Sequence, residues 1–153
     1  MYRKTYALID CNVIEDNVKA IIKEYSSYKY YFGVVKANAY GHGLGVIKYM
    51  LKAGINYLAV ATLEEGLDVR KRYSDVPVLV LEPVSASDAE VASKNNITIT
   101  IDNKDIFDEI KKKKIRVKFH LKIDTGMNRF GVKSSEVASY IYNNSDKNLY
   151  MEG

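Results

Sequence analysis

"IRVKFHLKI", Ile115 to Ile123, is the stretch on which the fold turns. Side chains alternate across a strand. Phe119, Leu121 and Ile123 therefore share one face, and Lys118, His120, Lys122 and then Asp124 share the other. One face is apolar and the other polar. That division suits a strand of a parallel barrel, which packs its apolar face on helices and turns its polar face to the mouth of the lumen.

Upstream, short apolar runs recur: "YYFGVV" (Tyr30 to Val35), "YLAVA" (Tyr57 to Ala61), "VPVLVL" (Val76 to Leu81) and "ITITI" (Ile97 to Ile101). Downstream, "NLYMEG" begins a sixth run. Segments of helical spacing lie between them. Ile14, Val18, Ile21, Ile22 and Tyr25 mark one face of a first helix. Thr62 with Glu65 and Ser87 with Glu90 have the spacing of capping boxes at later helix starts. Gly54 and Asn95 are placed as left-handed helix stops. A ladder of this kind, with short right-handed crossovers, gives one domain with a parallel sheet covered by helices. An open doubly wound sheet and a (β/α)8 barrel both satisfy it. An open sheet for dinucleotides would want G-x-G-x-x-G after a strand, and a P-loop would want its lysine after the glycines. "GHGLG" (Gly41 to Gly45) reads G-x-G-x-G, and its lysine comes first.

Composition narrows the classes. The chain has 153 residues, 47% hydrophobic and 27% charged, with a net charge of +4, which describes an ordinary globular protein. Its densest basic run, "KKKK" (Lys111 to Lys114), reads as a solvated helix end, because a nucleic-acid patch would interleave aromatics. Cys11 is the single cysteine, so no internal disulfide can form, and a reducing cytoplasmic compartment fits. Nothing near Cys11 in sequence would activate it as a nucleophile. "MYRKTYALID" lacks the apolar core of a signal peptide, and no run is long enough to span a membrane. The thirteen tyrosines are scattered, as amphipathic packing residues are.

Chemistry concentrates in two places. In "VVKANAYGHG" (Val34 to Gly43), Lys36 closes an apolar strand. Parallel α/β folds bind ligands at that end of their strands. Burial lowers a lysine's pKa and frees its amine to form a Schiff base with an aldehyde. The glycines that follow let backbone approach a ligand, the next helix offers its N-terminus to an anion, and Tyr40 adds a hydroxyl. A lysine snorkelling to solvent is the plainer account of Lys36. The second place is "KFHLKIDTGMNRFG" (Lys118 to Gly131). There Arg129 sits in a turn built around Gly126 and Gly131, where a guanidinium can grip a carboxylate on two prongs. His120 also reads as a hydrogen-bonded core histidine, and Lys118 as a side chain reaching solvent.

Together the two stretches resemble the alanine racemase family, pyridoxal-phosphate (PLP) enzymes of fold type III. "VVKANAYGHG" is similar to that family's cofactor-lysine signature, and "HLKIDTGMNRFG" to its second characteristic segment. "YLAVATLEEGLDVR" and "PVLVLEP" fit between them, so the resemblance runs from Thr5 to Gly153. It implies that Lys36 holds pyridoxal 5'-phosphate and serves as one of two catalytic bases. It implies that Tyr40 contacts the cofactor phosphate, that Leu81 lines the cofactor pocket, and that Arg129 bonds the phenolic oxygen and lies near the substrate carboxylate. In several family members the lysine matching Lys122 is carbamylated and orients that arginine. The implied reaction interconverts L-alanine and D-alanine, a cell-wall precursor, in the cytoplasm.

The resemblance also implies a (β/α)8 barrel followed by a β-rich domain. A barrel needs about 250 residues. The expectation is therefore a partial TIM-type barrel of five to six strands, with residues 1–153 as its N-terminal part. The remaining strands, the C-terminal domain and the tyrosine that serves as second base from the partner subunit of a homodimer are expected elsewhere, which leaves this chain inactive by itself. Three alternatives stand beside this expectation. They are a serine or broad-specificity racemase of the same family, a non-catalytic PLP-homeostasis barrel and a basic nucleic-acid-binding module.

Overall fold

Apolar alternation and helix-start signals divide the chain into repeating strand–helix units, and a computed structural model describes them for residues 5–153. Met1–Lys4, the start of the stretch screened for a signal peptide, lie outside the described residues. Helix α1 (Cys11–Glu24) leads into β1 (Phe32–Val34), a single helical turn α2 (Lys36–Tyr40), a 3-10 turn (Leu44–Val46) and α3 (Ile47–Lys52). Regular units follow: β2 (Tyr57–Val60), α4 (Leu63–Arg72), β3 (Val78–Pro83), α5 (Ala86–Lys94), β4 (Thr98–Ile101), α6 (Lys104–Lys112), β5 (Val117–Leu121), α7 (Ser135–Asn144) and β6 (Leu149–Met151).

Every strand pair is parallel, and the spatial order is the chain order, β1 through β6. A doubly wound sheet reverses its strand order at a switch point. This sheet does not, so the barrel alternative is the one adopted, as an open part of a (β/α)8 barrel with β1 and β6 at its edges.

The two faces of the sheet differ as the β5 pattern predicts within the strand itself, but the pattern stops at Leu121, and Ile123 beyond it is 42% exposed. Leu58, Val60, Val78, Val80, Ile99, Ile101, Val117, Phe119 and Leu149 pack into one core with helix residues such as Val69, Ala89, Phe107, Ile110 and Ile141. The opposite, inner face carries Phe32, Tyr57, Leu79, Thr98, Thr100, Lys118 and His120. Apolar burial on the helical side supplies most of the driving force, at roughly 25 cal/mol per Å². β3 and β4 slip register between Leu79 and Pro83, which puts Leu81 on an irregular stretch.

Several local expectations shift. The α1 stripe is narrower than its periodicity suggests. Ile14, Val18 and Ile22 are half-buried, but Ile21 and Tyr25 are each 57% exposed, because α1 packs on α3 at the edge of the sheet and meets little else. The buried residue of α1 is Glu15, whose carboxylate pairs with Lys19 at 2.6 Å and Lys52 at 2.9 Å. Thr62 caps α4 as expected. At α5 the cap is Ser85, whose hydroxyl accepts from the Asp88 amide, two residues before the predicted Ser87. Gly54 is left-handed, but at the end of α5 the left-handed residue is Asn96 and not Asn95. Asn95 keeps a φ of −106°, and its side chain donates to the Val91 carbonyl at 2.8 Å. The lysine run does end α6, with Lys114 left-handed after it.

Candidate active site

The carboxyl edge of the sheet gathers the predicted residues. β1 ends with the Val35 amide donating to the Ala59 carbonyl at 2.8 Å. The chain then coils left-handed through Ala37, Asn38, Ala39 and Tyr40, all with φ between 51° and 54°. Each such L-residue costs about 1–2 kcal/mol, so the turn has to be held by its surroundings. Ala39 donates to the Val35 carbonyl at 2.8 Å, Gly43 to the Asn38 carbonyl at 2.9 Å, and the Asn38 side chain accepts the Leu44 amide at 3.1 Å. Imidazole Nδ1 of His42 lies 2.8 Å from the Ala39 carbonyl. Gly41 and Gly43 continue with positive φ, and a Cβ on either would meet no atom within 4 Å. The space beside the turn is open.

Lys36 is half-buried at the head of this turn, its Nζ 6.0 Å from the centre of the Tyr40 ring. The short α3 and the 3-10 turn before it do not aim a long helix at the site, so the expected anion site at a helix N-terminus is not built. What the loop offers in its place is the Tyr40 hydroxyl and open glycine backbone. Leu81, 37% exposed, lies near the carboxyl end of β3 on the inner face.

Beyond β5 the second predicted segment folds on itself. Asp124 is not a strand residue lining the lumen. It organises the turn: its Oδ1 accepts the Gly126 and Asn128 amides, both at 3.0 Å, and its other oxygen lies 3.6 Å from Lys133. These backbone donors, with Lys133, hold its carboxyl below the usual aspartate range. Gly126, Asn128 and Gly131 all take positive φ, as a tight turn there demands. Arg129 projects from this loop, its guanidinium carbon 5.6 Å from the Phe130 ring. Lys122 donates from Nζ to the Ile123 carbonyl at 2.6 Å. The structure thus brings Lys36 beside Tyr40 and Lys122 onto the loop of Arg129. It does not join Arg129 to Lys122 or Lys36 by a hydrogen bond. Among the described residues, the Lys36 amine, the Tyr40 hydroxyl and the Arg129 guanidinium have no hydrogen-bond or ion-pair partner, and the amine beside the Tyr40 ring is a pairing suited to an anionic aldehyde.

Sequence reading missed two contributors. Glu65, read as the capping partner of Thr62, sends its carboxylate across to Ala37 and Ala61. Glu152 sits on the inner face among Tyr57, Thr98, Lys118 and His120. The His120 Nε2 is buried without a hydrogen-bond partner, 3.7 Å from Glu152, and burial lowers its pKa. It is therefore not the hydrogen-bonded core histidine of the plainer reading.

Parallel β/α units in chain order, with a lysine and two glycine-bearing loops at the carboxyl edge, define a partial (β/α)8 barrel with its ligand edge furnished. The chain belongs to the family described as alanine racemase, N-terminal domain, which it matches over residues 9–153. It is 39% identical over 150 residues to alanine racemase 1 of Bacillus subtilis, covering 96% of this chain and 39% of that protein. The crystal structure of alanine racemase from Bacillus anthracis with bound L-Ala-P superposes with a TM-score of 0.88 at 34% identity, over 100% of this chain and 41% of that one. A histidine racemase from Leuconostoc mesenteroides gives a TM-score of 0.82 at 26% identity, over 92% of this chain and 39% of that one. Among the described residues no helix is long and apolar enough to cross a membrane.

Proposed function

We propose that residues 1–153 are the N-terminal part of the PLP-binding barrel of an alanine racemase that works as a homodimer in the cytoplasm. The observation that carries this reading is Lys36 at the carboxyl end of β1, its amine unpartnered beside Tyr40 and an open glycine turn, in a chain of the alanine racemase family. PLP, when bound, stabilises negative charge at the α-carbon of an amino acid. Lys36 holds the cofactor through its amine and carries a proton to or from that α-carbon on one side. Tyr40 binds the cofactor phosphate, with the open backbone of Gly41 and Gly43 leaving room for it. Leu81 lines the pocket. Arg129 meets the phenolic oxygen and the substrate carboxylate. A carbamate on Lys122 would turn a neighbouring positive charge into a negative one and so orient Arg129.

The second base lies outside these residues, so the chain by itself is inactive. Racemisation of alanine by pure 153-residue protein would overturn that part of the proposal. The test of the core reading is Lys36→Ala in the full protein. Loss of a positioned acid–base group costs about 10²–10⁴-fold in rate, and the variant is expected to lose at least that, together with covalently held cofactor. Unchanged racemisation in Lys36→Ala would refute the role. A second reading, a racemase acting on another amino acid, is favoured by the likeness to the histidine racemase. Rates with alanine, serine and histidine decide between the two.

A further inference from the structure

Glu65 stands where β1 and β2 part. In a continued parallel ladder, the Ala61 amide would donate to the Val35 carbonyl and the Ala37 amide to the Ala61 carbonyl. Neither bond forms. The Val35 carbonyl is taken by the Ala39 amide at 2.8 Å, because the chain coils left-handed after Lys36. The Ala61 carbonyl is taken by the Glu82 amide at 3.1 Å, on the side of β3. Two amides are left without ladder partners, and one carboxylate accepts both. Glu65 Oε1 accepts from Ala37 at 2.7 Å and Oε2 from Ala61 at 2.8 Å. Charge-assisted bonds of this length are among the stronger ones.

A carboxylate serving only its own helix would return to the amide of the cap, Thr62. This one spans 28 residues to the amide that follows Lys36. It fixes the peptide plane between Lys36 and Ala37, and with it the direction in which the lysine leaves the strand. We propose that Glu65 is the positioning residue for Lys36: it replaces the missing strand pairing and holds the amine toward the open space beside the glycine turn. The proposal rests on the reading of Lys36 as the cofactor lysine.

Glu65→Gln keeps the volume and one acceptor but points an amide NH2 at the other N–H. Glu65→Ala removes both acceptors. Neither change touches the Lys36 amine. The full protein, as wild type, Glu65→Gln, Glu65→Ala and Lys36→Ala, is incubated with PLP and reduced with borohydride. Peptide mass spectrometry then gives the ratio of pyridoxyl adduct on Lys36 to adduct on surface lysines. Visible circular dichroism per bound cofactor reports its orientation, and far-UV circular dichroism reports the fold.

Misplacement of a reacting group by about 1 Å costs on the order of 10²-fold. The Lys36 ratio is therefore expected to fall about tenfold or more in Glu65→Ala and by less in Glu65→Gln. The visible signal should drop while the far-UV signal stays. Ratios and visible signals equal to wild type in folded variants would overturn the proposal and leave the cofactor reading standing. Lys36 unmodified in the wild type would overturn the cofactor reading, and this assignment with it. If Glu65→Ala does not fold, the isosteric Glu65→Gln decides.

Discussion

The Tyr57 hydroxyl donates to the Glu152 carboxylate at 2.7 Å, tying the start of β2 to the residue just past β6 across the inner face. The Thr98 hydroxyl lies 2.9 Å from the same tyrosine oxygen and 3.3 Å from the same carboxylate oxygen, and Lys118 reaches the other carboxylate oxygen at 3.3 Å. Burial pushes the Glu152 carboxyl up, but the bonds from Tyr57, Lys118 and Thr98 outweigh it and hold the group below the usual glutamate range. Burial, together with the bond to Glu152, raises the Tyr57 phenol well above its ordinary value. Tyr57→Phe removes one hydrogen bond to a charged group and is expected to cost about 1.5–3 kcal/mol. Denaturant unfolding of the two proteins measures it. A change within about 0.5 kcal/mol, as surface substitutions give, would mean that the bond does not hold β2 to β6.

Asp124 ties part of the acid dependence of stability to its loop. Its folded-state pKa lies below the ordinary value of 3.8, because the folded turn donates to the charged carboxylate. The stabilisation is therefore complete above the unfolded pKa and is lost as pH falls through the lower, folded one. Asp124→Ala should lower stability by a constant amount above about pH 5. The gap should close as pH drops below 3.8. Unfolding curves of both proteins between pH 2 and 7 test this, and a gap independent of pH would assign the effect to something other than the charge.

Gly131 is fixed by space as well as by its φ of 120°. A Cβ there would stand 2.6 Å from the Asp124 amide nitrogen and 2.8 Å from the Ile123 carbonyl carbon, both backbone. Gly131→Ala should open the Lys122–Val132 turn and displace Arg129. Amide exchange of Asp124 and Val132, which donate to the Val132 and Lys122 carbonyls at 3.0 and 2.9 Å, should accelerate. Unchanged exchange would show that the loop yields without cost.

Arg70 reaches five carbonyls, those of Tyr73, Ser74, Val76, Asn95 and Asn96, and so pins the turns before β3 and β4. A lysine has three donors on one nitrogen and cannot span them. Arg70→Lys is expected to destabilise by about 1–3 kcal/mol, the cost of carbonyls left short of a partner. Thermal unfolding checks it, and wild-type stability in the lysine variant would show that charge alone suffices.

The left-handed turn after Lys36 shows where sequence reading stops. The glycines of "YGHG" signal close backbone approach, but no propensity rule puts Ala37, Asn38, Ala39 and Tyr40 in a left-handed coil. The coil persists because the tertiary bond to Glu65, the local bond from the Leu44 amide to the Asn38 side chain and the end of the β1 ladder over-determine it. The spacing of Thr62 and Glu65 was legible as a cap, and half of it is one. Where the carboxylate goes depends on which amides the neighbouring strands leave unpaired, and those are set only once β1, β2 and β3 lie side by side.

Strand–helix alternation, the apolar and polar faces of β5, the lysine at the end of β1 and the glycine-bearing turn around Arg129 were all fixed by the order of residues, because periodicity and turn chemistry are local properties of the chain. Tertiary structure decided the strand order that selects a barrel over a doubly wound sheet. It also decided the role of Asp124 as a turn anchor, the meeting of Tyr57 with Glu152 and the bridging of Ala37 and Ala61 by Glu65. Each of these joins groups that are distant in sequence or redirects one that local rules assign elsewhere. Such pairings form only when the sheet closes the distance and water no longer competes for the bond.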